Sequence, residues 1–226
     1  MTAYWSGQRA RGIRRGTFAQ GGEDRILTEF FRGKTQGSYI DVGANHPWII
    51  SNTYLLYRSG WCGITIEPLD WLAQLHRRYR PRDTCLTAAC GASIGNAEMF
   101  VMDPHVASTL DKSAMEAMVA SGGARLDYVT SIPLVTVGHV TACLMPDGPD
   151  ILFTDTEDYD LEVLKGVDWE VGRPRVVVVE STSIASDNTE AIAAFMVGQG
   201  YTLLDRTRHN LIYHDVARSS DAASEK

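Results

Sequence analysis

Apolar runs alternate with helical patterns along most of the chain. From Ser38 onward, the runs "SYIDVGA", "CGITIEP" and "DILFTDTE" each end in an acidic or turn-forming residue. The segment "RPRVVVVEST" has the clearest strand pattern, because consecutive valines suit a strand that is buried on both faces. This alternation predicts an α/β domain built on a mostly parallel sheet with helices on both faces.

The remaining segments fill in this sheet. "DWLAQLHRRY" and "YDLEVLKG" have helical spacing, with Asp70 and Asp158 in positions to cap them. "DTCLTAACG" is predicted to be a third strand, and "AEMFVMD" alternates like an edge strand or a hairpin arm. The pattern also predicts a helix in "TEAIAAFMVGQG" and a closing antiparallel pair in "GYTLLDR" and "NLIYHDV".

Length and composition favour one domain. The chain has 226 residues, of which 44% are hydrophobic, and this is enough for one substantial core. The first residues carry arginines without an apolar stretch behind them, and the tail "ARSSDAASEK" is polar. We therefore expect a mobile segment over 1–19, a folded domain over 20–216 and a disordered tail over 217–226.

Charge and apolar run length exclude several classes of partner. The formal net charge of -7 argues against a general nucleic-acid binder. No apolar run approaches the roughly 18–20 residues that a membrane-spanning helix needs. The four cysteines form no CxxC pair, so neither a zinc site nor a disulfide framework is indicated. These features predict a cytoplasmic protein with no membrane or nucleic-acid partner.

Acidic residues stand at the ends of several predicted strands, where ligands bind in doubly wound sheets. They are Asp41, Glu67, Asp155 and Glu180. The first two have the spacing of dinucleotide folds, in which an acid after the second strand accepts hydrogen bonds from ribose hydroxyls. The turn after Gly43 nevertheless lacks the GxGxxG pattern that cradles a pyrophosphate. A nucleoside ligand without phosphates fits this arrangement better.

Four segments carry a resemblance to a known family: "AQGGEDRIL", "YIDVGANHPWIISNTYLLYRSGWCGITIEP", "TDTEDYDLEVLKGVDW" and "RPRVVVVE". In this order they resemble the FkbM family of class I methyltransferases, which use S-adenosylmethionine. The resemblance implies a Rossmann-like, seven-stranded sheet and O-methylation of a small-molecule hydroxyl, typically on a sugar or natural product. It also implies a set of cofactor-binding residues. These are Asp41, Gly43, Asn45, Glu67, Pro68 and Asp155.

One departure from the family affects the substrate side. The usual acid-x-Glu-Gly turn reads "DTED" here, so Asp158 stands where the family has glycine. An aspartate there is expected to narrow the pocket or to add a charge to it. The predicted substrate contacts are Ser51, Asn52, Glu157 and Asp158.

Two residues are predicted to be catalytic. Asp155 lies at the centre of the cleft in this architecture and is expected near the transferred methyl group, the alternative being a helix-capping acid. His46, in the turn after the first strand, is the best-placed histidine for removing the proton of the acceptor, although a histidine that only caps this turn is equally compatible with the pattern. Asp155 and Glu180 together could also hold a magnesium ion on the acceptor oxygen.

Two other functions are compatible with parts of the sequence. "GASIG" matches the G-x-S-x-G motif of serine hydrolases, with Ser93 as the nucleophile, but the alternating segment behind it predicts a strand where the motif requires a helix. A catalytically silent, methyltransferase-like binding protein is the other alternative. The sequence leaves open the methyl acceptor and the oligomeric state, a homodimer included.

Overall fold

A seven-stranded sheet forms the centre of the protein. A computed structural model describes residues 16–183 and 185–218. The strands of this sheet lie in the order β3-β2-β1-β7-β8-β10-β9, and β10 is antiparallel to both of its neighbours. All other described pairs in this sheet are parallel. The order reverses between β1 and β7, the position at which doubly wound sheets bind their ligands.

The elements have the following bounds. The strands span Ser38–Val42 (β1), Cys62–Ile66 (β2), Thr84–Leu86 (β3), Ala89–Cys90 (β4), Gly95–Asp103 (β5), Arg125–Val135 (β6), Ile151–Thr154 (β7), Val176–Glu180 (β8), Tyr201–Arg206 (β9) and Asn210–Asp215 (β10). The helices span Glu23–Phe30 (α1), Tyr54–Arg58 (α2), Asp70–Tyr79 (α3), Lys112–Ala120 (α4), Val137–Leu144 (α5), Asp160–Lys165 (α6) and Thr189–Gly198 (α7).

Both faces of the central strands are buried, as the consecutive valines of β8 predicted. Alternate residues such as Val177 and Val179 pack with α5, α6 and α7 on one face of the sheet. Val176 and Val178 pack with α1, α2 and Trp61 on the other face. The sheet is therefore the middle layer of a three-layer α/β domain, and the predicted fold class is confirmed.

A second, smaller sheet lies beside the cavity and was only partly foreseen. Its strands have the order β4-β6-β5, and β5 pairs antiparallel with β6 over nearly its whole length. The segment "AEMFVMD" is thus an edge strand, as predicted. The segment "DTCLTAACG" was predicted as one strand, but it divides between β3 of the large sheet and β4 of the small one.

Two predicted helix caps differ from the structure. Asp70 is the first residue of α3 itself, behind Leu69, and makes no cap. Asp158 precedes the cap residue Tyr159 and has a φ of 77°, so it lies in a turn and not at the helix start. Both acids remain close to a helix N-terminus, where negative charge is favourable.

The chain ends bear on the predicted boundaries. Residues 1–15 and 219–226 lie outside the described residues, and most of both predicted mobile segments falls there. Thr17 and Ala19 are buried, and the Phe18 and Ala19 backbone N–H groups donate to Asp24 at 2.7 and 3.2 Å. The packed part of the chain therefore begins before residue 20. Within the described ranges, no helix has the length and apolar character that crossing a membrane requires.

Candidate active site

A cavity of about 470 Å³ opens at the edge of the sheet where the parallel strands end. It extends from the ends of β2 and β3, across the reversal point between β1 and β7, to the end of β8 and the β9–β10 turn. The residues at its two ends differ in character. The first end, called the nucleoside end below, is lined by Glu67, Pro68, Leu69, Leu72, Ala88 and Ala89. The second, called the acidic end, is lined by Asp155, Glu157, Glu180, Ser183, Arg208 and His209.

The turn after β1 is in close backbone contact with the end of β7. The Asp155 backbone N–H donates to the Val42 carbonyl at 3.1 Å, which joins the two strand ends. Gly43 has a φ of +76°, and a Cβ added to it would stand 1.9 Å from the Asp155 carbonyl oxygen. Only glycine fits this position, since any side chain would separate the two strand ends. This close contact fixes the end of β1 relative to the end of β7, and both strand ends line the cavity.

Glu67 forms the polar floor of the nucleoside end. Its carboxylate accepts backbone N–H groups from Asn45 and Leu69, each at 2.8 Å. Burial raises the pKa of Glu67 to about 7, against the opposing effect of these two hydrogen bonds. A carboxylate has lone pairs for further donors, so Glu67 can also accept hydroxyl groups from a ligand. Asn45, Gly43 and Pro68, which are predicted to bind the cofactor, line the cavity beside it.

Asp41, predicted to lie under the cofactor, does not line the cavity. Its side chain is 1% exposed, and Oδ2 accepts the Thr53 hydroxyl at 2.6 Å. Its other oxygen has no hydrogen-bond partner among the described residues, and burial raises the pKa of Asp41 to about 6. The alternation of β1 explains the placement, because Val42 and Asp41 point to opposite faces of the sheet.

A fully buried arginine, which the sequence reasoning missed, supports the same turn. Arg80 is 0% exposed and donates to the Tyr39 hydroxyl at 2.7 Å and to the Thr53 hydroxyl at 2.9 Å. It also pairs with Asp83 at 2.7 Å. Thr53 in turn donates to Asp41, so Arg80 connects the segment that follows the turn to strand β1. Its position directly before Pro81 gave no signal of this role.

His46, predicted to be a general base, also lies outside the residues that line the cavity. It is 6% exposed, and its Nδ1 accepts the Trp48 and Ile49 backbone N–H groups at 3.4 and 3.3 Å. Burial, assisted by His105, lowers the pKa of His46 to about 4. A neutral imidazole that accepts at Nδ1 carries its proton on Nε2, so the geometry favours the alternative reading of a turn-capping histidine.

Three carboxylates meet at the acidic end. One oxygen each from Asp155, Glu157 and Glu180 lies within 4.8 Å of the others. Burial raises the pKa of Asp155 to about 6, and burial together with mutual repulsion holds the pKa of Glu157 and Glu180 well above the usual range. The sequence predicted only Asp155 and Glu180 as magnesium ligands. The cluster has a spacing that suits a cation, and the magnesium site remains a prediction.

The predicted substrate contacts separate into two groups. Asn52 and Glu157 line the cavity, and Asn52 forms a hydrogen bond with Asp155. Ser51 is completely buried behind the turn, 3.4 Å from Arg80, and does not face the cavity. Asp158 also lies outside the cavity lining. Its carboxylate accepts the Ser183 and Ser186 hydroxyls and the Asn188 amide instead.

Asp158 was expected to change the shape or charge of the pocket, but in the structure it connects two loops instead. Its φ of 77° is in the left-handed region, where glycine is favoured and an aspartate is tolerated. The side chain neither narrows the cavity nor adds charge to its lining. It ties the turn after β7 to residues 181–183 and 185–188, called the β8 loop below.

The hydrolase alternative has no support from the geometry. Ser93 is exposed in the short connection between β4 and β5, and a strand follows it where a nucleophile elbow requires a helix.

Comparison with protein families gave one match. The model of the family described as the methyltransferase FkbM domain matches residues 41–203. The match contains Gly43, Glu67, Asp155 and Glu180, all of which line the cavity. The comparison with curated proteins gave no match.

Several solved structures are similar in arrangement but distant in sequence. A TehB-like SAM-dependent methyltransferase from Corynebacterium glutamicum is 8% identical, covers 93% of this chain and 96% of its own, and has a TM-score of 0.47. A methyltransferase from Geobacter sulfurreducens is 10% identical, with coverage of 95% and 89% and a TM-score of 0.48. At these values the similarities carry no inference about activity or substrate.

Proposed function

The chain belongs to the FkbM methyltransferase domain family, and from that premise we propose that it transfers a methyl group from S-adenosylmethionine to a hydroxyl group of a small molecule. The observation that carries the proposal is the position of Glu67. Its buried carboxylate lines the cavity beside a turn that lacks the phosphate-binding glycines. Such a site suits the ribose of a nucleoside without phosphates.

The residues at the nucleoside end fit this cofactor. Glu67 would accept the ribose hydroxyls, and the apolar side chains of Leu69, Leu72 and Ala88 would cover the base. Asn45 and Gly43, in the turn between the two ends, would lie near the methionine portion. When bound, S-adenosylmethionine supplies an electrophilic methyl group on a positively charged sulfur.

The acidic end supports a hydroxyl-bearing acceptor. Carboxylates accept hydrogen bonds from hydroxyl groups, and Asp155, held by Asn52, is the residue that would orient the acceptor beside the methyl group. Sugars and natural products carry such hydroxyls. The proposal therefore places Asp155 in a positioning role and leaves the base role of His46 aside, because its Nδ1 is already occupied by two backbone donors.

Calorimetry tests the cofactor. We expect S-adenosylmethionine and S-adenosylhomocysteine to bind with Kd values on the order of micromolar, and NAD not to bind. Glu67→Gln should weaken binding by about 1–3 kcal/mol, because the amide cannot accept at both of its polar atoms. Glu116→Gln, at an exposed position of α4, is the matched control and should bind like the wild type. Binding of NAD alone would refute the proposal.

Methyl transfer is tested with defined acceptors. Methyl glucopyranoside, methyl rhamnopyranoside and 4-nitrophenol present hydroxyl groups, and methyl glucosaminide adds an amine. Formation of S-adenosylhomocysteine and a methylated product by mass spectrometry would establish the reaction and distinguish oxygen from nitrogen as the acceptor atom. A protein that binds the cofactor but methylates none of these compounds would instead favour the silent binding protein.

A chelator tests the magnesium prediction. If Asp155, Glu157 and Glu180 hold a divalent cation on the acceptor oxygen, EDTA should abolish methyl transfer and added magnesium should restore it. Unchanged turnover in EDTA would leave these carboxylates as hydrogen-bond acceptors only.

A further inference from the structure

We infer that His209 is the general base of the proposed methyl transfer, and that its Nε2 takes the proton of the acceptor hydroxyl. The inference rests on the proposed function and identifies a residue that the sequence analysis considered only as the histidine of the hydrolase alternative, not as a base in methyl transfer. His209 lies in the turn between β9 and β10 and lines the acidic end of the cavity.

The antiparallel strand β10 brings His209 to this end. Because β10 runs opposite to the parallel strands, its first residue lies at the edge where those strands finish. The pairing places Asn210 opposite Glu180, the last residue of β8. His209 precedes Asn210 and so reaches the same edge as Asp155 and Glu180. A residue far along the chain thus completes a site built mainly from the strand ends.

The backbone of His209 is fixed to the β8 loop. Its carbonyl accepts the Ser181 backbone N–H at 2.8 Å and the Thr182 N–H at 3.3 Å. The loop itself is closed by a bridge between Thr182 and Asp187 and by a bond from Asn188 N–H to the Ser181 carbonyl at 2.8 Å. These bonds hold the histidine in place although its turn is at the surface.

The side chain of His209 has a defined tautomer. Its Nδ1 lies 3.2 Å from the Thr182 carbonyl oxygen. A carbonyl oxygen only accepts hydrogen bonds, so Nδ1 must carry the proton and the neutral ring has its lone pair on Nε2. Among the residues that the structure describes, none forms a hydrogen bond with this second nitrogen. A backbone carbonyl that orients an imidazole in this way leaves the opposite nitrogen ready to accept a proton.

His209 shares its end of the cavity with three acidic residues. Among the described residues, the acidic groups that line this end are Asp155, Glu157 and Glu180, and the basic group is Arg208. His209 is half-buried, so it can return the proton to water at the cavity mouth afterwards.

The step balances with the groups named. The acceptor oxygen forms a bond to the methyl carbon with one of its lone pairs, the bond between that carbon and sulfur breaks with its electrons remaining on sulfur, and the hydroxyl proton passes to Nε2 of His209. The products are the methyl ether, S-adenosylhomocysteine and an imidazolium ion. A hydroxyl group needs such a base because its own pKa is far above neutrality.

Two asparagine variants separate catalysis from structure. In His209→Asn, the amide N–H can still donate to the Thr182 carbonyl in place of Nδ1, but no base remains. In His46→Asn, the amide oxygen can still accept the Trp48 and Ile49 N–H groups. Both variants should fold with little change in Tm and bind S-adenosylhomocysteine within about threefold of the wild type. Only His209→Asn should lower kcat, by about 10²–10⁴-fold, for the methyl glycoside that the wild type methylates.

Imidazole nitrogen NMR of the protein gives a readout that requires no acceptor. At pH 7.5 we expect the Nδ1–H form for His209 and the Nε2–H form for His46. A spectrum with the proton of His209 on Nε2 would overturn the inference, and so would wild-type kcat in His209→Asn. Failure of the wild type to bind S-adenosylmethionine would overturn the proposed function instead, so the two failures are distinguishable.

Discussion

Two turns of this protein lie near one cavity and hold a histidine in opposite ways. In the turn after β1, backbone N–H groups surround Nδ1 of His46, and the ring serves as an acceptor inside the protein. In the turn between β9 and β10, a backbone carbonyl meets Nδ1 of His209, and the ring lines the cavity. The chemistry open to an imidazole is therefore decided by the backbone atom beside it, and not by how closely it follows the first strand in sequence.

The two turns also differ in what holds them. The first rests on the Arg80 network and on the contact of Gly43 with β7, both deep in the domain. The second is held by hydrogen bonds to the β8 loop, which Asp158 ties down from the turn after β7. Substitutions that disrupt the first turn should reduce the stability of the whole fold. Substitutions that disrupt the second turn should mainly change the structure of the acidic end.

The largest effect is expected from Gly43→Ala. Its Cβ would stand 1.9 Å from the Asp155 carbonyl oxygen, so the ends of β1 and β7 must separate. We expect a loss of at least about 4 kcal/mol in the free energy of unfolding, or no folded protein. Gly200→Ala is the control, since φ is also positive there but the nearest atom is 3.9 Å away. It should cost only about 1–2 kcal/mol. Equal losses in urea titrations would show that backbone strain alone matters at Gly43.

Arg80→Met should rank second. The change removes the cation from a buried network and leaves Asp83 with the Tyr39 hydroxyl and the Gly63 N–H as donors but without its cationic partner, which costs about 3–5 kcal/mol in comparable cases. Arg32→Met, at an exposed pair with Glu29, should change stability by less than about 0.5 kcal/mol. If the loss in Arg80→Met is as small as in the control, the first turn does not depend on this network. The NMR spectrum of His209 should be unchanged in both variants.

Asp158→Gly tests the second turn. Glycine relieves the left-handed backbone by about 1 kcal/mol but removes the hydrogen bonds to Ser183, Ser186 and Asn188, so the net change in stability should be within about 2 kcal/mol. Amide exchange at Ser186 and Asn188 should become faster, while exchange at Val42 stays slow. Asp158→Asn keeps an acceptor and tolerates this φ, and it should retain most of the protection. If the β8 loop in Asp158→Gly keeps the amide-exchange protection of the wild type, the Asp158 side chain does not hold this loop.

The smallest effect concerns pH. Burial gives Glu67 a pKa of about 7, and the pKa of Glu180 is also raised, so the folded state keeps protons that the unfolded state has already released. The contribution of these carboxyls to stability should therefore fall as pH rises from about 4.5 through 7. His46 and His76, whose pKa values burial lowers to about 4, change stability in the opposite direction, so the carboxyl contribution is measured as the difference between the wild type and a glutamine variant. A decrease of a few degrees in Tm is expected, at about 2–4 °C per kcal/mol. This decrease is expected for the wild type relative to Glu180→Gln, and a difference in Tm between the two proteins that does not change with pH would contradict the assignment.

The parallel core could be predicted from the sequence because its strands are buried on both faces and carry continuous apolar runs. Strand β6 could not, since most of its side chains are exposed and it is stabilised by pairing with β5. The acids at the strand ends, Glu67, Asp155 and Glu180, were located by the same strand pattern. The pattern does not show, however, that Asp41 points away from the cavity or that an interior arginine fixes the turn.

The roles of the two histidines were also beyond the sequence. His46 follows the first strand directly, which made it prominent, but the folding of residues 47–49 back onto its ring depends on geometry that no motif records. The sequence predicted the closing antiparallel pair, but the position of His209 becomes clear only when β10 is known to pair with β8. The direction of the hydrogen bonds and the pairing of β10 with β8 thus could not be predicted from the sequence.

The division of the cavity has a consequence for protein engineering. The nucleoside end is lined by residues between 67 and 89, whereas the acidic end is lined by residues between 155 and 209. The β8 loop and the β9–β10 turn contact each other and are both short, contiguous pieces of chain. A library that exchanges the β8 loop and the β9–β10 turn together, with Asp158 retained, would vary the choice of acceptor. The residues of the nucleoside end would remain unchanged.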